Sequence, residues 1–134
     1  MADIPVISLW GPWANWVALG WKTIETRTHQ RFRGLVGKRI GIHVAAHWDK
    51  QWKELAGDFL LPEQRLKTEN FLHIGGAVIC TAFVRDFRLL TGKDSPSALI
   101  DCEYAQRYGL FLSNIEVIEC VPCKGRQGIW YQDI

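Results

Sequence analysis

The sequence is short of the features that usually announce a role. None of its apolar runs approaches the roughly 20 residues of a membrane-spanning helix. The N-terminal stretch MADIPVISLW has no charged segment followed by a long apolar one. A soluble, cytosolic chain without a membrane partner is therefore expected. Net charge is small: 16 Lys and Arg against 14 Asp and Glu give +2 at neutral pH. Composition alone thus does not mark a nucleic-acid binder, although a local basic patch depends on placement and not on the sum. The four cysteines, Cys80, Cys102, Cys120 and Cys123, come without a secretion signal and are expected as thiols. Cys120 and Cys123 have zinc-knuckle spacing, but a second ligand pair is missing. His43 and His47 lack a third ligand. No metal or other cofactor is expected. There is no glycine-rich phosphate loop, zinc-protease pattern or serine elbow.

What is present is an ordinary globular composition. The 134 residues, 48% hydrophobic and 22% charged, fit one domain spanning 1–134 with a core of its own. Seven tryptophans are many for this length, so some are expected as stacking surfaces and most as core.

Hydrophobic patterning predicts a strand at 4–9, then a helix in GPWANWVALG. Gly11 is its N-cap, Pro12 lies in its first turn and Gly20 follows its end. Trp13, Trp16 and Val17 share one helical face. Residues 22–28 alternate as a strand, and 38–46 form the next, with Ile40, Ile42 and Val44 on one face. Gly57 and Pro62 divide 49–70 into two helices. A long strand runs over 75–90, able to bend and serve two sides of a barrel. TGKDSPS is read as a loop, residues 98–109 as a helix, 110–112 and 114–122 as strands, and KGRQGIW as a turn before a last strand. This order is not the alternation of a parallel α/β sheet. It predicts an α+β fold, a small, mostly antiparallel β-barrel with helices packed on one side.

The segment GWKTIETRTHQRFRG, residues 20–34, is the anomaly. Lys22, Glu25 and Arg27 put charge on both registers of one strand, so neither face is purely core. One explanation is a solvated edge strand. The other is a cleft, where a partly desolvated lysine becomes a base or nucleophile and a glutamate orients it or accepts from a ligand. Arg27, Arg31 and Arg33, with His29 among them, have the chemistry for phosphate contacts. Phe32 is a stacking surface or a plug into the core. Gly125 and Gly128 around Gln127 suggest a turn that exposes its amides, with Lys124 or Arg126 beside it for a phosphate.

Taken together, these segments resemble the ASCH domain of the PUA-like superfamily, across nearly the whole chain. The family's Q-P-W-A turn reads here as Gly11-Pro12-Trp13-Ala14. Its G-x-K-x-x-E-x-R reads as Gly20, Lys22, Glu25 and Arg27. R-G matches Arg33-Gly34, I-H-A-A matches Ile42 to Ala45, and K-G-x-Q-G-x-W matches Lys124, Gly125, Gln127, Gly128 and Trp130. The resemblance implies a PUA-like β-barrel whose charged strand lines a cleft between barrel and helices. Related domains bind RNA or modified nucleobases. A bacterial branch of the family hydrolyses the acetyl amide of acetylcytidine with its motif lysine, a threonine three residues later and a distant glutamate. Lys22 matches that lysine, Glu25 stands at the threonine, and Glu103 is a candidate for the glutamate. Gly11 replaces the usual glutamine and removes one amide from the cleft rim.

Two functional expectations result. In the first, the cleft binds RNA, single-stranded nucleic acid or a modified nucleoside. Trp10, Trp13 or Trp21 stack a base, Lys22 and Glu25 read its edge, Arg27, Arg31 and Arg33 hold phosphates, and His43, Lys124 and Gln127 complete the lining. In the second, the protein is a small amidohydrolase or ribonuclease. Lys22 is then the general base, polarised by Glu25 or Glu103, and the 125–128 amides form the oxyanion site. A protein-interaction domain with a vestigial cleft is the third and blandest reading.

Overall fold

The computed structural model describes residues 3–134. The elements run β1 (Asp3–Gly11), α1 (Trp13–Ala18), β2 (Ile24–Arg27), β3 (Arg39–Trp48), α2 (Trp52–Ala56), α3 (Pro62–Glu69), β4 (Ala77–Leu89), α4 (Ser95–Ala98), β5 (Tyr108–Pro122) and β6 (Trp130–Asp133). The fold is α+β. Its six strands lie in the order β2-β5-β4-β3-β1-β6. Among the described residues β1 and β3 pair in parallel, and the other four pairings are antiparallel.

The expected closed barrel is instead an open sheet. Among the described residues no ladder joins β2 to β1, although the strands meet: the Arg27 guanidinium reaches the Ser8 carbonyl at 3.5 Å. The sheet therefore curls through β5, β4 and β3 and stops one step short of closure. The bending comes from the long β4–β5 ribbon, whose register shifts at Val78/Cys80, Thr81/Phe83 and Val84/Asp86. Each such bulge adds twist and bends its strand. At the other edge, β6 pairs with only Asp3 to Val6 of β1. The free side of Ile7–Gly11 is left facing β2 across a seam.

Local rules explain most elements. Helix α1 ends in a Schellman turn: Trp21 N–H donates to Trp16 O at 2.9 Å and Gly20 N–H to Val17 O at 3.0 Å. Gly20 has φ +78°, which a residue with a side chain rarely adopts. Gly57 and Pro62 divide the 49–70 region into α2 and α3 as expected. The expected helix at 98–109 is displaced. The helix forms earlier, in Ser95–Ala98, begun by Pro96 and stopped by Leu99 at φ +57°. The two expected strands at 110–122 are one strand with a kink at Asn114, φ +48°.

The main core fills the inside of the curl with Ile7, Leu9, Ile40, Ile42, Val44, Cys80, Ala82 and Leu110, plugged by Phe32 and Leu35. A second cluster joins the helices to the sheet around Trp16, Trp52 and Leu60, with Trp13, Trp21, Trp48 and Phe71 against it. Among the described residues no helix is long and apolar enough to cross a membrane.

Trp16 and Thr68 tie α1 to α3 in that second cluster. Both are fully buried, and the indole N–H donates to Thr68 Oγ1 at 3.0 Å. Thr68→Val keeps the shape and strands the indole N–H. It is expected to lower unfolding free energy by about 1–3 kcal/mol. Urea denaturation reads this as a lower midpoint at unchanged slope; an unchanged midpoint would show the bond to be unimportant.

Candidate functional site

The charged strand sits at the seam. The Schellman turn after α1 sends Lys22 inward, where it is 0% exposed. Its ammonium donates to the Ala98 carbonyl at 2.5 Å, lies 3.6 Å from Glu25 Oε1 and stands 5.1 Å from the centre of the Trp13 ring. Burial pushes the Lys22 ammonium below its usual range, and Glu25 opposes the shift. The second oxygen of Glu25 accepts from Arg27. One carboxylate, 5% exposed, thus bridges a buried lysine and a half-buried arginine.

Arg27 divides two adjoining pockets that share Ser8 and Trp10. The larger, about 760 Å³, is cationic: Arg27, His29, Arg31, Lys124 and Arg126 line it, with Phe32 and Gln127. Arg27 lies over the Phe32 ring at 4.9 Å, and His29 packs edge-on to the same ring. Partial desolvation, and after it the neighbouring Arg31 and Arg27, push His29 down from its usual pKa. At the base of this pocket His43, 1% exposed, bonds on both sides. Its Nε2 lies 2.9 Å from the Cys123 carbonyl, which can only accept, so Nε2 carries the hydrogen. Nδ1 is then the acceptor facing Ser8 Oγ at 2.8 Å.

The smaller pocket, about 410 Å³, is aromatic and of mixed charge, lined by two carboxylate residues and two arginines, Arg27 and Arg107. Glu25, Asp49, Trp10 and Trp13 line it, with Thr26 and Arg107. Asp49 fixes Trp13 by accepting from its indole N–H at 2.9 Å. Trp10 stands between the pockets, 52% exposed, with His47 edge-on at 4.2 Å.

The structure thus gathers Trp10, Trp13, Glu25, Arg27, Arg31, His43, Lys124 and Gln127 around one cleft. Lys22 lies behind its wall. Trp21 packs against Phe71 in the helical layer and lines neither pocket. Arg33 points elsewhere, over the Phe87 ring and bonded to Gln30. Glu103 is exposed in the loop after Cys102, its N–H donating to Asp101, and it lines neither pocket. Sequence patterning does not single out Ser8, Thr26, Asp49 and Arg107. A lone serine in an apolar strand carries no local signal, and Asp49 meets Trp13 only through tertiary packing.

Among solved structures this chain is similar to the ASCH protein of Zymomonas mobilis. The two are 14% identical, with a TM-score of 0.59 over 96% of this chain and 87% of that one. Two point variants of that protein give TM-scores of 0.55 and 0.57 at 15% and 14% identity, again over 96% of this chain and over 87% and 89% of theirs. The chain therefore has the ASCH-domain fold. No protein-family model and no curated protein matches the sequence.

The buried lysine has a pH signature. Because folding lowers its pKa below the usual 10.5, the unfolded chain binds the proton more tightly. Stability then rises with pH between the folded value and 10.5. Lys22→Met removes this dependence. The wild-type protein should gain stability relative to Lys22→Met as pH rises toward 10.5, measured as urea unfolding free energies. A difference that stays flat across that range would contradict the buried placement.

Proposed function

We propose that the cleft binds single-stranded nucleic acid, with one unpaired base in the smaller pocket and the backbone along the larger. The observation that carries this reading is the place of Trp10: an exposed indole set between a cationic pocket and a smaller one that carries two carboxylates, Glu25 and Asp49, beside Arg27 and Arg107. Unpaired bases are read by stacking and edge contacts, and the strand is held by charge. Trp10 and Trp13 supply ring surface. When ionised, Glu25 and Asp49 can accept but not donate, so they favour a base edge with amino hydrogens, cytosine N4 or adenine N6 among them. Arg27, Arg31, Lys124 and Arg126 match successive phosphates, and arginine forks bind phosphate oxygens in pairs.

The alternative, hydrolysis with Lys22 as general base, has weaker support. The Lys22 ammonium is buried behind Glu25 and already bonded to Ala98, and Glu103 lies outside both pockets.

Fluorescence anisotropy with short labelled RNAs at several salt concentrations tests the binding reading. Affinity should fall as salt rises. Arg31→Ala should weaken all sequences about equally and reduce the salt slope by about 1. Trp10→Ala should cost about 1–3 kcal/mol with the salt slope unchanged. Affinity that ignores salt, or that survives both substitutions, would remove the cleft from consideration.

A further inference from the structure

Ser8 sits where the two pockets meet, with His43 beside it at the base of the larger one, and the contacts proposed above for a base and its phosphates use neither residue. They are direct neighbours in the parallel β1–β3 pairing, so their side chains leave the sheet on the same face. Ser8 Oγ is 2.8 Å from His43 Nδ1, and the ring is fixed on its other side by the Cys123 carbonyl at 2.9 Å. The ring also packs edge-on against Trp130. This is the arrangement an activated nucleophile needs: a hydroxyl, a base within hydrogen-bond reach and a third group that sets the tautomer of the base. Because the Cys123 carbonyl holds the hydrogen on Nε2, the lone pair of Nδ1 is directed at the hydroxyl.

The surroundings are shaped to leave this pair room. A Cβ on Gly125 would fall 2.6 Å from His43 Cε1 and 3.4 Å from Ser8 Oγ. Glycine there lets the 124–128 loop cross the pair without displacing it. Ser8 lines both pockets. Arg27, 3.5 Å from the Ser8 carbonyl, and Lys124 supply positive charge on the same side.

We propose that Ser8 and His43 form a nucleophile–base dyad that cleaves an acyl ester borne on a phosphate-bearing alcohol. Ser8 Oγ attacks the ester carbonyl carbon while its proton passes to His43 Nδ1. The negative charge on the carbonyl oxygen develops beside Arg27 and Lys124. The imidazolium is stabilised by its Nε2–H bond to the Cys123 carbonyl oxygen. The bond from acyl carbon to alcohol oxygen breaks, and the alcohol leaves with the proton from Nδ1. Water then attacks acyl-Ser8, yields its proton to Nδ1, and releases the carboxylic acid as Ser8 recovers its hydrogen. No co-reactant other than water is required. The phosphate on the substrate rests on the proposed anion-binding role of the cationic pocket; the nucleophile does not.

The first experiment treats the wild-type protein with diisopropyl fluorophosphate, a neutral probe, and maps the adduct by mass spectrometry. One phosphoryl adduct on Ser8, lost in Ser8→Ala, is expected. His43→Gln should slow labelling at least tenfold, with circular dichroism confirming the fold. Should that variant not fold, the mapped site in the wild-type protein decides alone. A wild-type protein left unlabelled, while a serine esterase in the same tube labels fully, overturns the dyad. So does equal labelling of Ser8→Ala. Hydrolysis of 1-acetylglycerol 3-phosphate should then exceed that of 1-acetylglycerol at least tenfold in kcat/KM. Equal rates would overturn the phosphate preference and leave the nucleophile standing. RNA affinity, measured separately, distinguishes failure of the dyad from failure of the binding reading.

Discussion

The cleft depends on one carboxylate held between two cations. Glu25 contacts Lys22 behind the wall and Arg27 at its lip. A lysine buried without an anion is costly, and removing one partner of a buried ion pair typically costs more than the pair contributes. Lys22 therefore constrains Glu25, and Glu25 constrains Arg27. With Arg27 fixed over Phe32 and against the Ser8 carbonyl, the boundary between the two pockets is set. A single chain of charge contacts converts a core position into the geometry of a surface.

The same residues explain why the sheet stays open. A backbone ladder between β1 and β2 would fill the seam with hydrogen-bonded main chain. Instead a side chain crosses it: the Arg27 guanidinium approaches the Ser8 carbonyl to 3.5 Å. The three register shifts of the β4–β5 ribbon bring β2 close enough for that contact. The short reach of β6 leaves the far half of β1 free to face it. Curvature, an incomplete edge and a long cationic side chain together make a cleft from what would otherwise be a barrel wall.

The seven tryptophans divide by the same geometry. Trp16 and Trp52 are buried in the helical layer, where Trp21 and Trp48 pack against them, and Trp130 backs His43. Trp13 belongs to both layer and cleft, its indole N–H fixed by Asp49. Trp10, on β1 beside the seam, keeps about half of its surface available. Its neighbour His47 comes from the end of β3, beyond the apolar run that pins that strand in the core.

The sequence by itself determined the elements that local rules govern. The alternation Ile40, Ile42, Val44 made β3 a buried strand, Gly20 ended α1, and Gly57 and Pro62 separated α2 from α3. The mixed charges at 22–27 marked an unusual strand, because no purely apolar face can be drawn through them. The helix expected at 98–109 lies earlier because Pro96 starts it and a left-handed Leu99 ends it, a backbone choice that composition does not reveal. Only the tertiary structure decided that the sheet would curl without closing, that Lys22 would lie inside while Arg27 lines the cleft, and that Arg33 and Trp21 would turn away from it. It alone brought Ser8 to His43, Asp49 to Trp13 and the 124–128 loop across β1 and β3. The reason is physical: periodicity reports which face of an element is buried, whereas a site is made by contacts between elements far apart in sequence, and these are set by packing and curvature.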